Sequence, residues 1–414
     1  MKLRLLALAV IMALGTAGLL AVHAWWLATG TRNARFVAFM RRHAQREHNS
    51  EVIPEHGRTL DCRGRQLDLA LPGTVLQRAV DALALEAEGR PVKLSVDGDL
   101  QSRAEDLLRG KSGAVVVLEP TSGRIRALVS SPRVNYLDRA LNGLYPPGSV
   151  FKVFMAGAAL TSGLDPVYDC PASGYRSGSS TPAIRDVEAY QAERRGRRWK
   201  GFGRIGMGDA LMHSSNVYFA RLGVELGPER FGGIVAKARL REEVMVLPSP
   251  DVAVNSSGCG VPDGLRAPQL APVAIGQGAL QLTPLAVAML TSAVADDGAM
   301  LSPTLLADAK PALRCAPFSF EAAGRVKRMM RGVVRDARGT GHSCEIPGLE
   351  VCGKTGTAQT GKGADHAWFT CFAPQQTPRL VVTVLVEHGG FGARAALPIA
   401  KELLLSAKSL GYFD

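Results

Sequence analysis

The sequence predicts an α/β fold of the α+β type, one antiparallel sheet with helices on its faces, behind a single N-terminal transmembrane helix. Three observations carry this reading. A buried-strand run and its return strand occupy residues 114–130. Strand signals come back only after residue 349, and the strongest of them is Arg379-Leu-Val-Val-Thr-Val-Leu-Val-Glu387. Between the two groups, from Ser149 to about Val334, the pattern is mostly helical. Strands at both ends of a helical insert imply one sheet assembled from distant segments. The chain has 414 residues, 46% hydrophobic and 21% charged, so it can bury a core and falls outside the disordered class. One apolar run is long enough to cross a bilayer, which excludes a polytopic transporter. Seven cysteines without a CxxC pair argue against a zinc ribbon or an iron–sulfur protein. A net charge of +12 suits nucleic acid, an anionic membrane surface or an anionic polymer, and does not choose among them.

The first element is residues 5–28, an apolar run with only His23 as a strongly polar interruption. As a helix it spans a hydrocarbon core, with Trp25 and Trp26 where an interfacial aromatic belt sits. A cleaved signal peptide is the competing reading, because Val22-His23-Ala24 is a passable cleavage site. The apolar run exceeds a usual signal core, which favours an uncleaved anchor, and both readings export the rest of the chain. Arg32, Arg35, Arg41, Arg42 and Arg46 outnumber Lys2 and Arg4, and a literal positive-inside count would reverse the orientation. A long exported domain overrides such a count. The cluster reads as a solvated juxtamembrane helix, with acidic headgroups as the alternative contact. Residues 29–92 form a juxtamembrane linker punctuated by Pro54, Gly57, Gly64, Pro72 and Gly73, with a helical apolar period over residues 75–85.

Residues 93–414 form the main domain. Ala114-Val-Val-Val-Leu118, the turn Thr121-Ser122-Gly123 and residues 124–130 read as a β-hairpin. Residues 349–353 lead as a strand into Lys354, residues 366–372 form another strand, and residues 395–410 are a last helix.

Three short motifs carry chemistry. The first is Tyr145-Pro-Pro-Gly-Ser149-Val-Phe-Lys152. Two prolines and a glycine make a rigid turn from which a helix starts, so Lys152 shares a helix face with Ser149. Residues 150–160 are apolar on every side, as in a buried helix. A surface lysine that snorkels is the bland alternative. Among apolar neighbours an ammonium is poorly solvated and its pKa falls, and a neutral amine one turn from a hydroxyl is a general base for it. Alone the motif is weak, since a Ser-x-x-Lys occurs by chance roughly once in such a chain.

The second motif is Ser214-Ser215-Asn216, between helical segments 204–212 and 217–226. By itself it reads as a helix N-cap, although a hydroxyl and an amide can also bridge a catalytic amine and bind a peptide. The third is Gly353-Lys354-Thr355-Gly356-Thr357 at a strand end. Lys354 is expected to stay positive, holding Lys152 neutral and attracting a carboxylate. Gly356 would let a ligand approach the backbone, and Thr355 and Thr357 offer hydroxyls. Residues 348–355 also match a Walker A spacing. No helix comes after them to point its N-terminus at phosphates, which rejects that reading.

Together and in this order the motifs resemble the active site of the penicillin-recognising serine acyltransferases, that is, penicillin-binding proteins and serine β-lactamases. Further stretches resemble the family: Val96-Asp97-Gly98-Asp99-Leu100-Gln101, residues 113–132, Ala274-Ile275-Gly276-Gln277-Gly278 with Thr283-Pro284, Gly339-Thr340, and His366-Ala367-Trp368-Phe369. The best match is the monofunctional class B type. Gly57-Arg58 and Asp61-Cys62-Arg63-Gly64 resemble a remnant of its N-terminal signature, with Cys62 where the family has Arg. The pedestal module is expected to be shortened, and no glycosyltransferase domain fits.

The resemblance implies a β-lactamase/transpeptidase-like fold: a five-stranded antiparallel sheet flanked by helices plus an all-helical subdomain. It implies Ser149, Lys152, Ser214, Asn216 and Lys354 as catalytic residues and Thr355, Gly356 and Thr357 as substrate-binding residues, with no cofactor and no metal. It further implies a D,D-transpeptidase that cross-links peptidoglycan stem peptides outside the cytoplasmic membrane and is acylated by β-lactams, with a membrane glycan polymerase as candidate partner. A serine β-lactamase and a D,D-carboxypeptidase are the rival readings. A β-lactam sensor or non-catalytic scaffold is a further one, disfavoured by the intact Ser149, Lys152 and Lys354. Nucleic acid is not expected, because the basic residues read as forming no aromatic-interleaved patch and the chain is exported. His366 is assigned to packing, and the cysteines are expected to be free and buried.

Overall fold

The computed structural model describes residues 59–67, 80–84, 87, 90–132, 138–179, 181–248, 254–361 and 363–414. The membrane span expected at residues 5–28, the arginine cluster and most of the linker lie outside the described residues. Among the described residues no helix is long and apolar enough to cross a membrane. Of the helix expected at residues 75–85, the described part, 80–84, is helical.

The main sheet has the five antiparallel strands expected: β1 (Gly113–Leu118), β2 (Ile125–Ser131), β3 (Cys352–Ala358), β4 (His366–Ala373) and β5 (Leu380–Val386). Their spatial order is β3-β4-β5-β1-β2. The two sequence-distant groups join where β5 pairs with β1, from Val381 opposite Leu118 to Val386 opposite Gly113. The strands read as continuous apolar runs because both faces are covered. One face, with Val115, Val117, Phe369, Cys371, Val382 and Val384, packs on α1 (Gly98–Leu108) and on the C-terminal helix Leu397–Ser409. The other face, with Val116, Leu118, Trp368, Phe372, Val381 and Leu385, packs on the helical insert.

That insert contains α2 (Phe151–Thr161), α3 (Val187–Arg194), α4 (Met207–Met212), α5 (Asn216–Lys237), α6 (Ala267–Ala274), α7 (Pro284–Ala295) and α8 (Phe320–Arg335). Local caps set several of the starts. Thr283 caps α7, accepting from the Ala286 N–H, and Ser319 caps α8, accepting from the Ala322 N–H. Gly227 and Pro228 break the helical backbone inside α5. The insert is not purely helical. It also carries two-stranded ribbons, including Tyr168–Pro171 with Gly201–Ile205. Arg204, expected to begin a helix, is therefore in a strand, and α4 starts three residues later.

Two features bear on the site. The Lys354-Thr355-Gly356 motif does not come after a strand; it is the strand β3, at the edge of the sheet. Its glycines hide a strand identity that comes from pairing with β4, Lys354 opposite Thr370 and Gly356 opposite Trp368. The other feature that bears on the site is the turn at Gly276, which has φ +76°. A Cβ there would meet the Gly148 carbonyl oxygen at 1.9 Å. Gly276→Ala should therefore cost about 2–4 kcal/mol, combining left-handed strain with overpacking. It should also displace the turn that bears Ser149. Denaturant midpoints check the cost; a wild-type midpoint would refute it.

Candidate active site

Ser149 lies in a 3-10 turn, Gly148–Val150, that runs directly into α2. Three contacts fix this turn against the sheet. The Gly148 N–H donates to the Gly276 carbonyl at 2.9 Å. The Trp368 indole N–H donates to the Pro146 carbonyl at 3.0 Å. Gly356 leaves room for the turn, since a Cβ there would lie 2.9 Å from Val150 and 3.2 Å from the Pro147 carbonyl. The space that Gly356 was expected to open for a ligand is thus filled by protein, and its effect is to let Ser149's turn approach β3.

Lys152 is fully buried, as its apolar helix requires. Its Nζ donates to the Ser214 carbonyl at 2.6 Å and the Asn216 Oδ1 at 2.7 Å, and lies 3.4 Å from the Ser214 Oγ. Lys354, also fully buried, places its Nζ 2.8 Å from the same Ser214 Oγ and 2.9 Å from the Thr355 carbonyl. The Ser214 hydroxyl therefore bridges the two amines. Three segments far apart in sequence meet at this oxygen.

Burial decides the charge. Desolvation brings the Lys152 pKa down from 10.5 to about 7, against the raising effect of Asp186 and Glu188. Lys354 is driven well below the usual lysine value, first by burial and then by repulsion from Lys152. The permanent positive charge expected at Lys354 is thus not what its environment favours. Two buried amines sharing one hydroxyl hold a second proton only at high cost. A neutral Lys152 has two N–H bonds, and the two carbonyl acceptors take both, which leaves its lone pair free for a hydroxyl proton.

The Ser214-Ser215-Asn216 turn serves both alternatives through different residues. Ser215 is the N-cap of α5, accepting from the Tyr218 N–H at 3.2 Å. Ser214, with φ +59°, and Asn216 face the lysines instead. Sequence reasoning missed what holds this turn. Asp186, at 1% exposure, accepts from the Ser215 hydroxyl at 3.0 Å, from the Asn216 N–H, and from the Val217 N–H at 3.1 Å. Its carboxylate sits at the N-terminus of α5, where the helix leaves donors unmet and favours negative charge. No local pattern marks Asp186, because its partners lie about thirty residues on. The Asn216 amide is oriented by its own N–H bond to the Arg185 carbonyl at 3.0 Å.

The remaining expected residues line β3. The Thr355 hydroxyl donates to the Thr340 hydroxyl at 2.9 Å, which adds Thr340 to the site. Thr357 is partly exposed, and its carbonyl lies against Gly148, beside Ser149. His366 packs edge-on to Tyr145 and accepts from the His388 N–H at 3.1 Å, as a packing role requires. Among the described residues no cluster of His, Cys, Asp or Glu could hold a metal ion. All seven cysteines are free, but only Cys170, Cys344, Cys352 and Cys371 are buried; Cys62, Cys259 and Cys315 are partly exposed.

The penicillin-binding protein transpeptidase domain model matches residues 113–405. The chain belongs to this family. It is 29% identical to the peptidoglycan D,D-transpeptidase MrdA of Haemophilus influenzae, over 76% of this chain and 56% of that protein. The chain thus spans little more than half the length of that relative. Its fold is similar to the D,D-transpeptidase domain of a peptidoglycan glycosyltransferase from Eggerthella lenta, with a TM-score of 0.72 and 25% identity, covering 87% of this chain and 99% of that one. It is also similar to penicillin-binding protein A from M. tuberculosis in a ceftriaxone acyl-enzyme complex, with a TM-score of 0.67 and 25% identity, covering 83% and 88%.

Asp186→Ala leaves buried N–H groups of α5 without an acceptor and should destabilise the protein by about 1–3 kcal/mol. It should also slow acylation by penicillin, because the Ser214 carbonyl and Asn216 would drift from Lys152. Chemical denaturation and stopped-flow acylation test both, and loss of stability at an unchanged acylation rate would contradict the positioning role.

Proposed function

We propose that this chain is a peptidoglycan D,D-transpeptidase that works through a Ser149 acyl-enzyme. The observation that carries the reading is the Lys152 amine, fully buried and held by two carbonyl acceptors one helical turn from Ser149. The named relatives, and the acyl-enzyme complex of a structural neighbour, support it from outside.

In this reading neutral Lys152 takes the proton from the Ser149 Oγ as that oxygen attacks the carbonyl carbon of the penultimate D-Ala of a stem peptide. The oxyanion is met by the backbone N–H groups of Ser149 and Thr357. Such a donor is worth about 2.7–4 kcal/mol. The C–N bond to the terminal D-Ala then breaks. The proton passes from Lys152 through the Ser214 hydroxyl, within reach of both amines, to the leaving amine. The amine of a neighbouring stem peptide attacks the ester, forms the cross-link and returns the proton to Ser149. Thr357 holds the terminal carboxylate, joined by Thr355 when its hydroxyl turns from Thr340 to the anion. Lys354 joins them by taking up a proton as the anion arrives, since a bound carboxylate compensates the charge that burial disfavours. Asn216 orients the substrate amide. As an edge strand, β3 has an unpaired side on which an extended peptide can add a strand.

The apolar run at residues 5–28 supports a single-pass anchor in the cytoplasmic membrane, with residues 29–92 as linker and 93–414 as the extracytoplasmic catalytic domain. A D,D-carboxypeptidase would use the same acylation and pass the acyl group to water.

Ser149→Ala should abolish covalent labelling by fluorescent penicillin, and full-stoichiometry labelling of that variant would overturn the assignment. On pentapeptide stems the wild type should give cross-linked dimer, whereas released D-Ala without dimer would indicate the carboxypeptidase. The acylation rate should rise with pH through about 7, because Lys152 acts only when unprotonated and its pKa is brought down to about 7. Asp186 raises that pKa, so Asp186→Asn should move the acid limb to lower pH. A rate that stays flat on both sides of that value would exclude Lys152 as the base.

A further inference from the structure

The strand Gly201–Ile205 and the segment before it, from the end of α3, carry Arg194, Arg195, Arg197, Arg198, Lys200 and Arg204, all exposed. None of the six makes a salt bridge among the described residues. The nearby Glu193 is already taken by Arg185. Two aromatic residues are set among these cations, so the sequence expectation of no aromatic-interleaved basic patch fails here. The Trp199 ring meets the Phe202 ring edge-on at 4.9 Å. Phe202 in turn stacks on His213, with ring centroids 4.8 Å apart and planes 18° from parallel. His213 is the residue immediately before Ser214. The aromatic stack is therefore a continuous path from the basic ridge to the turn that holds Lys152.

We infer that this ridge is a docking surface for a polyanion, and that its occupant is the uncross-linked peptidoglycan strand, bound through the carboxylates of its stem peptides. The inference rests on the transpeptidase reading and deepens it. Unpaired arginines recognise carboxylates by paired N–H bonds, and several on one ridge suit a ligand that repeats its carboxylates along a polymer. Continuity with the Ser214 turn favours this occupant over a lipid surface, because a strand seated on the ridge has its next stem peptide beside the site. The half-buried indole of Trp199 offers an apolar face between the cations. The catalytic centre handles one dipeptide end; the ridge adds grip on the rest of the polymer.

The test measures binding of the full-length chain to soluble, uncross-linked strands with pentapeptide stems. Strands stripped of their stems by an amidase, phosphatidylglycerol vesicles and a single-stranded oligonucleotide serve as comparators. Wild-type binding to intact strands should weaken steeply with added salt and vanish on stripped strands. The combined variant R194Q/R195Q/R197Q/R198Q should bind intact strands at least about tenfold more weakly, from four lost exposed ion pairs. Fluorescent-penicillin labelling reports separately on fold and on Ser149. If the combined variant does not label, R197Q/R198Q and the wild-type salt series decide. Equal binding by variant and wild type, salt-insensitive binding, or equal binding to stripped strands would overturn the inference. So would arginine-dependent binding to vesicles or oligonucleotide without binding to strands. A wild type that binds strands but takes no penicillin would sink the transpeptidase reading and leave the surface standing.

Discussion

The site depends on burying two lysine amines side by side. An ammonium in a dry interior is costly, and two of them sharing a hydroxyl are costlier. Burial lowers the pKa of both Lys152 and Lys354, and each amine finds acceptors: Ser214 and Asn216 for one, Ser214 and Thr355 for the other. The requirement propagates outward. To aim its carbonyl at Lys152 while its hydroxyl bridges both amines, Ser214 takes a left-handed backbone that a residue with a side chain rarely adopts. That conformation needs a counterweight, and the counterweight is Asp186 on the first N–H groups of α5. A charge problem in one helix thus fixes a backbone in a second segment and a buried carboxylate in a third.

The sheet serves the same end. Pairing of β5 with β1 brings the two halves of the chain into one layer. That places β3 at the edge, where Gly356 and Trp368 receive the Ser149 turn. Buried hydroxyls tie the layer to α7, with Thr291, Thr370 and Thr383 in a chain of 2.8 Å contacts. Each of these polar groups is satisfied, which is what makes a buried network rigid rather than costly.

How much of the molecule is legible in the sequence depends on how local each signal is. The strands β1, β2, β4 and β5 and the helix α2 are marked by runs of apolar residues, so they are legible to within a residue or two, as is the burial of Lys152 on that helix. The Ser-Ser-Asn turn is legible only as an ambiguity, because capping and amine binding use the same residue types; the fold resolves it by giving Ser215 one task and Ser214 and Asn216 the other. The strand nature of Lys354-Thr355-Gly356 is not legible, since glycines disfavour a strand locally and only β4 makes it one. The lowered pKa of Lys354 is hidden too, because its burial is set by packing with distant segments, the Ser214 turn among them. Asp186 carries no local mark at all, and Thr340 is marked only within a stretch that resembles the family, not as a partner of Thr355.

Part of the net charge of +12 lies on the ridge at residues 194–204. The two lysines at the centre of the site are buried, and that burial lowers their pKa values. The field that a distant anionic ligand meets comes from unpaired surface cations, and residues 194–204 are dense in them. The docking and the proton abstraction proposed above make opposite demands on basic side chains. Long-range attraction needs solvated, permanently charged guanidinium groups. Proton abstraction needs a desolvated amine able to give up its proton. Arginine fits the first and cannot perform the second. The chain keeps the two apart by burying only lysines at Ser214 and leaving the arginines of the ridge in water, with one aromatic stack between them.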